Sequence, residues 1–299
     1  MLNSLFEKEP LVFASSEGNV WKYVFHFKDA VAEAVLYRYN SFKERTVLCI
    51  SVQSGCPVGC VFCGTGNQFI RNLSTDEIIS QVKYIFFDTQ IDSCEIKKLQ
   101  IMFMSMGEPF LNYEQVRSAI IELNRDYFTA QLLISTIAPK NEPALSDFIN
   151  LSVANYKIGL QFSIHQSNDN ERNILIPYKN KLSLVEIRDY GIQWWHETKR
   201  KPYLNYCVNG SNSMMMDFKA LRTLFPPNVF CFTFSVICSK DETMKEAGYR
   251  NLERIKDFET LFIDAGYDTR IFDPAGQDDI GGGCGQLFYV QNYLKGHII

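Results

Sequence analysis

The stretch "SGCPVGCVFCGTG" (Ser54–Gly66) places cysteines at 56, 60 and 63, spaced C-x3-C-x2-C, with no fourth cysteine close enough to complete a set. It follows directly on "RTVLCISV" (Arg45–Val52), whose β-branched and apolar residues read as a strand. Three thiols on a loop just after a strand describe a site with one position left open. A structural zinc site usually has four protein ligands, and a redox C-x-x-C pair has no need of Cys56.

Outward from this loop the chain alternates strand and helix patterns. Ahead of it, "WKYVFHF" (Trp21–Phe27) and "AEAVLYRY" (Ala32–Tyr39) read with Arg45–Val52 as an antiparallel meander. After it come apolar runs at Leu99–Met106, Gln131–Thr136, Tyr156–Ile164, Pro202–Val208, Val229–Ile237 and Tyr267–Phe272, the composition of parallel strands buried on both faces. Between them lie helix patterns. "STDEIISQVKYIFF" (Ser74–Phe87) opens with a capping box, Ser74 three residues before Glu77. Others cover Tyr113–Leu123, Leu182–Thr198, Ser213–Leu224 and Lys245–Ala265, the last stopped by Gly266. Repeated strand–helix units predict an α/β fold, a parallel barrel or part of one. The glycine-rich "DPAGQDDIGGGCGQL" (Asp273–Leu287) reads as a loop.

The chain of 299 residues is 46% hydrophobic, ample for a large core. A formal net charge of -4 gives no global attraction to a polyanion, so any nucleic-acid contact must rest on local basic groups. The N-terminal segment carries Glu7, Lys8 and Glu9 where a signal peptide needs an apolar run, and the longest apolar stretch is too short to span a bilayer. The nine cysteines are an odd number, spread widely. The expectation is a cytoplasmic protein with reduced thiols, no membrane association, and clustered cysteines that bind metal or do chemistry.

Three thiolates fit a [4Fe-4S] cluster with one iron open to a chelating ligand, and the amino and carboxylate groups of S-adenosyl-L-methionine provide one; zinc and coincidence stay open on spacing alone. The spacing, with Phe62 ahead of the last cysteine, resembles the radical SAM superfamily. "MSMGEPFLN" (Met104–Asn112), at the end of the next strand, adds a glycine that admits close backbone approach and a carboxylate, Glu108, able to accept from an ammonium. Together with "STIAP" (Ser135–Pro139), "SIHQSND" (Ser163–Asp169) and "GQDDIGGGCGQL" (Gly276–Leu287), in that order, these segments resemble the radical SAM RNA adenine methyltransferases, the RlmN/Cfr group, over nearly the whole chain.

That resemblance implies a partial parallel (β/α)6 barrel of radical SAM type with a small N-terminal antiparallel β extension, residues 1–44, and the barrel with its C-terminal catalytic-cysteine loop over 45–299. It implies that Cys56, Cys60 and Cys63 hold the cluster and that Gly107, Glu108, Ser135, Ser163, Ile164, His165 and Ser235 contact S-adenosyl-L-methionine. It also implies a methyl group carried on Cys284. That group is activated by a 5′-deoxyadenosyl radical and added to C2, or less often C8, of an adenine in ribosomal or transfer RNA, leaving a transient protein–RNA adduct. Glu33 is then the base that takes the ring proton. Cys49 is the thiol that attacks the sulfur of Cys284 and leaves a disulfide. An electron donor such as flavodoxin or ferredoxin and a monomeric state complete the expectation.

The sequence departs from the family in three ways. Only about 17 residues precede the match, where the family carries a helical RNA-holding domain. The family's W-N-P-x-P segment is replaced, so that Ser235 stands near its asparagine. The charge balance is acidic, with Lys98, Lys179 and "TKRKPY" (Thr198–Tyr203) among the local basic groups. Two alternatives therefore stand beside RNA methylation: the same chemistry on a smaller nucleotide, peptide or heteroaromatic, and an inactive member serving as an RNA-binding module.

Overall fold

The computed structural model describes residues 5–236, 252–272 and Ile280. One ten-stranded sheet organises them. Its order runs β1 (Lys8–Ala14), β2 (Val20–Phe27), β3 (Ala30–Tyr39), β4 (Arg45–Ile50), β7 (Leu99–Phe103), β8 (Gln131–Thr136), β9 (Ile158–Ser163), β10 (Tyr203–Val208), β11 (Cys231–Val236) and β12 (Thr269–Ile271). The first four strands pair antiparallel, and from β4 onward every pair is parallel. The sense of the sheet therefore changes at β4, which has β3 on one side and β7 on the other. A two-stranded ladder of β5 (Gln53–Gly55) and β6 (Phe69–Asn72) closes the base of the cysteine loop.

Helices α1 (Thr75–Thr89), α2 (Tyr113–Asp126), α3 (Glu142–Ala154), α4 (Asp169–Leu175), α5 (Leu184–Thr198), α6 (Met215–Leu224) and α7 (Leu252–Asp264) connect the parallel strands. The capping box of α1 forms as the sequence predicts: Ser74 Oγ accepts from the Glu77 N–H, and the Glu77 carboxylate accepts from the Ser74 N–H. The expected helix Lys245–Ala265 is described only from Leu252, and most of the glycine-rich segment Asp273–Leu287 lies outside the described residues. Pattern reading missed β1, the β5–β6 ladder, α3 and α4. These are short, or begin at proline-bearing turns where apolar periodicity is weak.

The pleat sorts the side chains. On one face Leu36, Leu48, Ile50, Ile101, Phe103, Leu132 and Ile134 join the main core beneath the helices. On the other, Val35, Tyr37, Val47, Cys49, Met102 and Leu133 form a second cluster lining the barrel interior. Ile280 packs against this inner cluster. Further along, the interior face turns polar, with Gln161, Asn205, Thr233 and Ser235 all buried.

Candidate active site

At the carboxyl ends of the parallel strands an open cavity of ≈ 980 Å³ collects the sequence-predicted residues. Cys49, all three loop cysteines, Gly107, Glu108, Ser135, Ser163 and His165 line it, contributed by β4, β8 and β9 and by the turns after β4, β7 and β9. Residues far apart in the chain thus meet because parallel strands end at one rim.

The cysteine loop is shaped by its backbone. The Cys56 N–H donates to the Gln68 carbonyl at 2.8 Å, and the Cys63 N–H to the Cys60 carbonyl at 3.1 Å. Gly55 (φ 75°) crosses so close to the returning chain that a Cβ there would lie 2.0 Å from the Gln68 oxygen. Burial pushes the Cys56 thiol up to about 12; N–H groups of Val58 and Gly107 directed at its sulfur oppose the shift, while Cys63 and Glu108 add to it. Such a thiol ionises only when a cation takes the charge, and the two amides stand ready for the thiolate. Among the described residues, no three Cys, His, Asp or Glu side chains converge on a single ion point.

Glu108 follows Gly107, whose φ of 96° turns the chain where a side chain would strike Gln53, 2.6 Å away. The carboxylate of Glu108 is fully enclosed. It accepts from the Thr136 hydroxyl at 2.5 Å, the Ile137 N–H at 2.9 Å and the Phe110 N–H at 3.1 Å. Burial outweighs these bonds and raises the acid to about 7. His165 is buried with its Nδ1 accepting from the Cys207 N–H at 3.3 Å. Burial, then Arg172, drives its pKa down to about 3. The ring is therefore neutral, and with Nδ1 an acceptor the proton sits on Nε2, which becomes a donor.

Other predicted residues sit differently. The Ile164 side chain is in the main core, and its N–H donates to the Asn205 carbonyl at 3.1 Å. Ser235 lies deeper, in an adjoining cavity of ≈ 730 Å³, with its Oγ 3.2 Å from the Cys207 sulfur and 3.3 Å from Asn205 Oδ1. Asn205, which pattern reading did not single out, borders both cavities. Its signal was available: it alternates with Leu204 and Tyr206 on a strand whose neighbours face the core.

Glu33 is fully buried on β3 beside the cavity, its carboxylate 3.1 Å from the Lys22 ammonium on β2. The Lys22 partnership was also missed, because Lys22 reads as the polar half of an exposed alternation. Cys284 lies outside the described residues, as does Cys238. Cys207 and Cys231 are buried and Cys94 exposed. Of the local basic groups, Lys201 is already engaged by Asp268 at 2.7 Å, and elsewhere Arg71 is held by Glu77 at 2.7 Å and Lys97 by Glu44 at 2.5 Å. Among the described residues no helix is long and apolar enough to cross a membrane.

Comparison with known proteins places these features in context. No family model matches the chain. The chain is 32% identical over 211 residues to the "Probable dual-specificity RNA methyltransferase RlmN" of Heliobacterium modesticaldum, covering 68% of this chain and 54% of that protein. The same description is carried by relatives in Dictyoglomus turgidum, 29% identical over 98% of this chain and 83% of the relative, and in Thermotoga petrophila, 30% identical over 82% and 69%. A solved radical SAM methyltransferase from Sphaerobacter thermophilus superposes with a TM-score of 0.79 at 26% identity, covering 93% of this chain and 80% of that one.

Proposed function

Because this chain belongs to the RlmN family of radical SAM RNA methyltransferases, we propose that it methylates an adenine carbon of ribosomal or transfer RNA, C2 in preference to C8, through a methyl-cysteine. The observation that carries this reading is the convergence of Cys49, the three loop cysteines, the Gly107–Glu108 turn, Ser135, Ser163 and His165 on one cavity.

The family's cofactors are a [4Fe-4S] cluster and S-adenosyl-L-methionine. When bound they supply the methyl group and a 5′-deoxyadenosyl radical. Cys56, Cys60 and Cys63 hold the cluster, with the Val58 and Gly107 amides directed at the Cys56 sulfur. Glu108 accepts an N–H from the methionine amino group. Ser135, Ser163 and the Nε2–H of His165 offer hydrogen bonds along the same wall, Ile164 contributes through its backbone, and Ser235 together with Asn205 closes the inner end.

Glu33, held by Lys22, takes the ring proton from the RNA adduct. The thiolate of Cys49 then attacks the sulfur of Cys284. A sulfur–sulfur bond forms, the bond from that sulfur to the methylene carbon breaks with its electron pair left on the adenine side, and a proton taken up at that carbon completes the methyl group. Support for this pairing comes from Ile280, which packs against the inner cluster that contains Cys49. Cys284 is four residues on, and four residues reach at most about 14 Å. A reduced flavodoxin or ferredoxin as electron donor, a monomeric state, cytoplasmic location and the division at residues 44/45 belong to the same proposal.

Anaerobic expression followed by mass spectrometry tests it directly: the peptide bearing Cys284 carries an added methyl group. The Cys49→Ala variant accumulates a covalent protein–RNA adduct under reducing turnover. An unmethylated Cys284 together with release of 5′-deoxyadenosine stimulated by small heteroaromatics but not by RNA overturns it.

A further inference from the structure

The barrel interior does not end below the site just described. The cavity containing Ser235 shares Met104, Asn205 and Phe272 with the active-site cavity above it. It also shares Arg270 with a third cavity, of ≈ 1170 Å³, that opens at the amino ends of the parallel strands. Arg45 on β4 lines the cavity containing Ser235, the exposed Lys98 just before β7 lines the third cavity, and Arg270 on β12 lines both.

The two guanidinium groups are held in place. Arg45 lies over the Tyr39 ring at 4.2 Å and its Nε donates to Gln100 at 3.1 Å. Arg270 lies over the Tyr203 ring at 4.2 Å, its Nε donating to the Thr233 hydroxyl at 2.7 Å and one terminal nitrogen to Gln161 at 2.9 Å. Every fixing partner is neutral. Among the described residues none of the three cations lies in a salt bridge, and the nearby Asp268 carboxylate is taken by Lys201 at 2.7 Å. The cations also oppose one another: burial, then Arg45 and Arg270, lowers Lys98, and burial is the largest cause lowering Arg270, with Arg45 adding to it.

Stacked, oriented guanidinium groups with neutral anchors and no described counter-charge are preorganised for an oxyanion, since forks fixed before binding lose little freedom on forming bidentate bonds. We propose that the lower end of the barrel is a binding site for a small phosphate oxyanion, either inorganic phosphate or the phosphate of a mononucleotide, held by Arg45, Arg270 and Lys98. The site lies at the opposite end of the strands from the cysteine loop, and Arg45 and Arg270 border the cavity that also holds Ser235 and Asn205.

Calorimetric titration of the purified full-length chain, at constant ionic strength set with chloride, tests this with two probes, sodium phosphate and adenosine 5′-monophosphate. The expected result is saturable one-site binding of at least one probe, weakened about tenfold or more by Arg270→Gln and by Arg45→Gln. Binding of both assigns free phosphate as sufficient, and binding of the nucleotide alone assigns a phosphate monoester. The exposed Lys98→Gln variant, whose folding is checked by circular dichroism, weakens binding by a smaller factor and decides the matter if an arginine variant does not fold. No saturable heat with either probe, or affinity unchanged in the folded variants, overturns the proposal.

Discussion

Single side chains set the electrostatics of this site, and Glu108 shows how. Its carboxyl is raised to about 7 by burial, against hydrogen bonds from Thr136, Ile137 and Phe110. The folded chain without ligand therefore prefers the neutral acid. That preference contributes stability fully below the ordinary value of 4.5 and loses it as pH rises to about 7, a change on the order of 3 kcal/mol. Denaturant titrations of the ligand-free chain at pH 4.5 and at pH 8 should show this decline for Glu108 and not for Glu108→Gln. An N–H donated by the amino group of S-adenosyl-L-methionine favours the ionised form, so affinity should increase from pH 6 to pH 8. An equilibrium binding series that is flat with pH in the parent chain sinks the assigned contact. The cysteine triad, the Gly–Glu turn and His165 were legible in sequence because each needs a rare residue at fixed spacing. Asn205 and Lys22 were not: their meaning depends on which face of a strand looks inward, which a single strand does not declare.

At the scale of elements, the Lys22–Glu33 pair joins β2 to β3 with both groups buried. Replacing Lys22 by Met leaves a carboxylate in the interior without its cation, and equilibrium unfolding should register a loss of about 3–5 kcal/mol. Restoring neutrality with Glu33→Gln in the same chain should recover much of that loss. A Lys22→Met variant as stable as the parent removes the structural reading of the pair. The parallel strands were read nearly to the residue, as at Gln131–Thr136, because burial on both faces demands unbroken apolar runs. β1 escaped notice: it is an edge strand whose residues are mostly exposed or half-exposed, with its register interrupted between Lys8 and Leu11. The β5–β6 ladder escaped for a different reason: three and four residues are too few to show a period.

For the whole molecule, the cysteine loop is tied by backbone bonds and by its prospective ligands, while the sheet has its own extensive core. Stripping iron by anaerobic chelation should lower the melting temperature, because a ligand that binds only the folded state stabilises by mass action. Hydrogen exchange should increase at residues 51–68 and stay unchanged in β7 to β10; a uniform increase across the sheet contradicts this division. The sheet begins at β1 and finishes at β12, and these terminal strands do not pair among the described residues. A closed cylinder admits a guest only through its ends, and only if the guest fits whole. Between β3 and the end of β12, among the described residues, side chains rather than backbone bonds meet, as where the Tyr37 ring stands edge-on to Phe272, and such a contact parts at lower cost than a strand ladder.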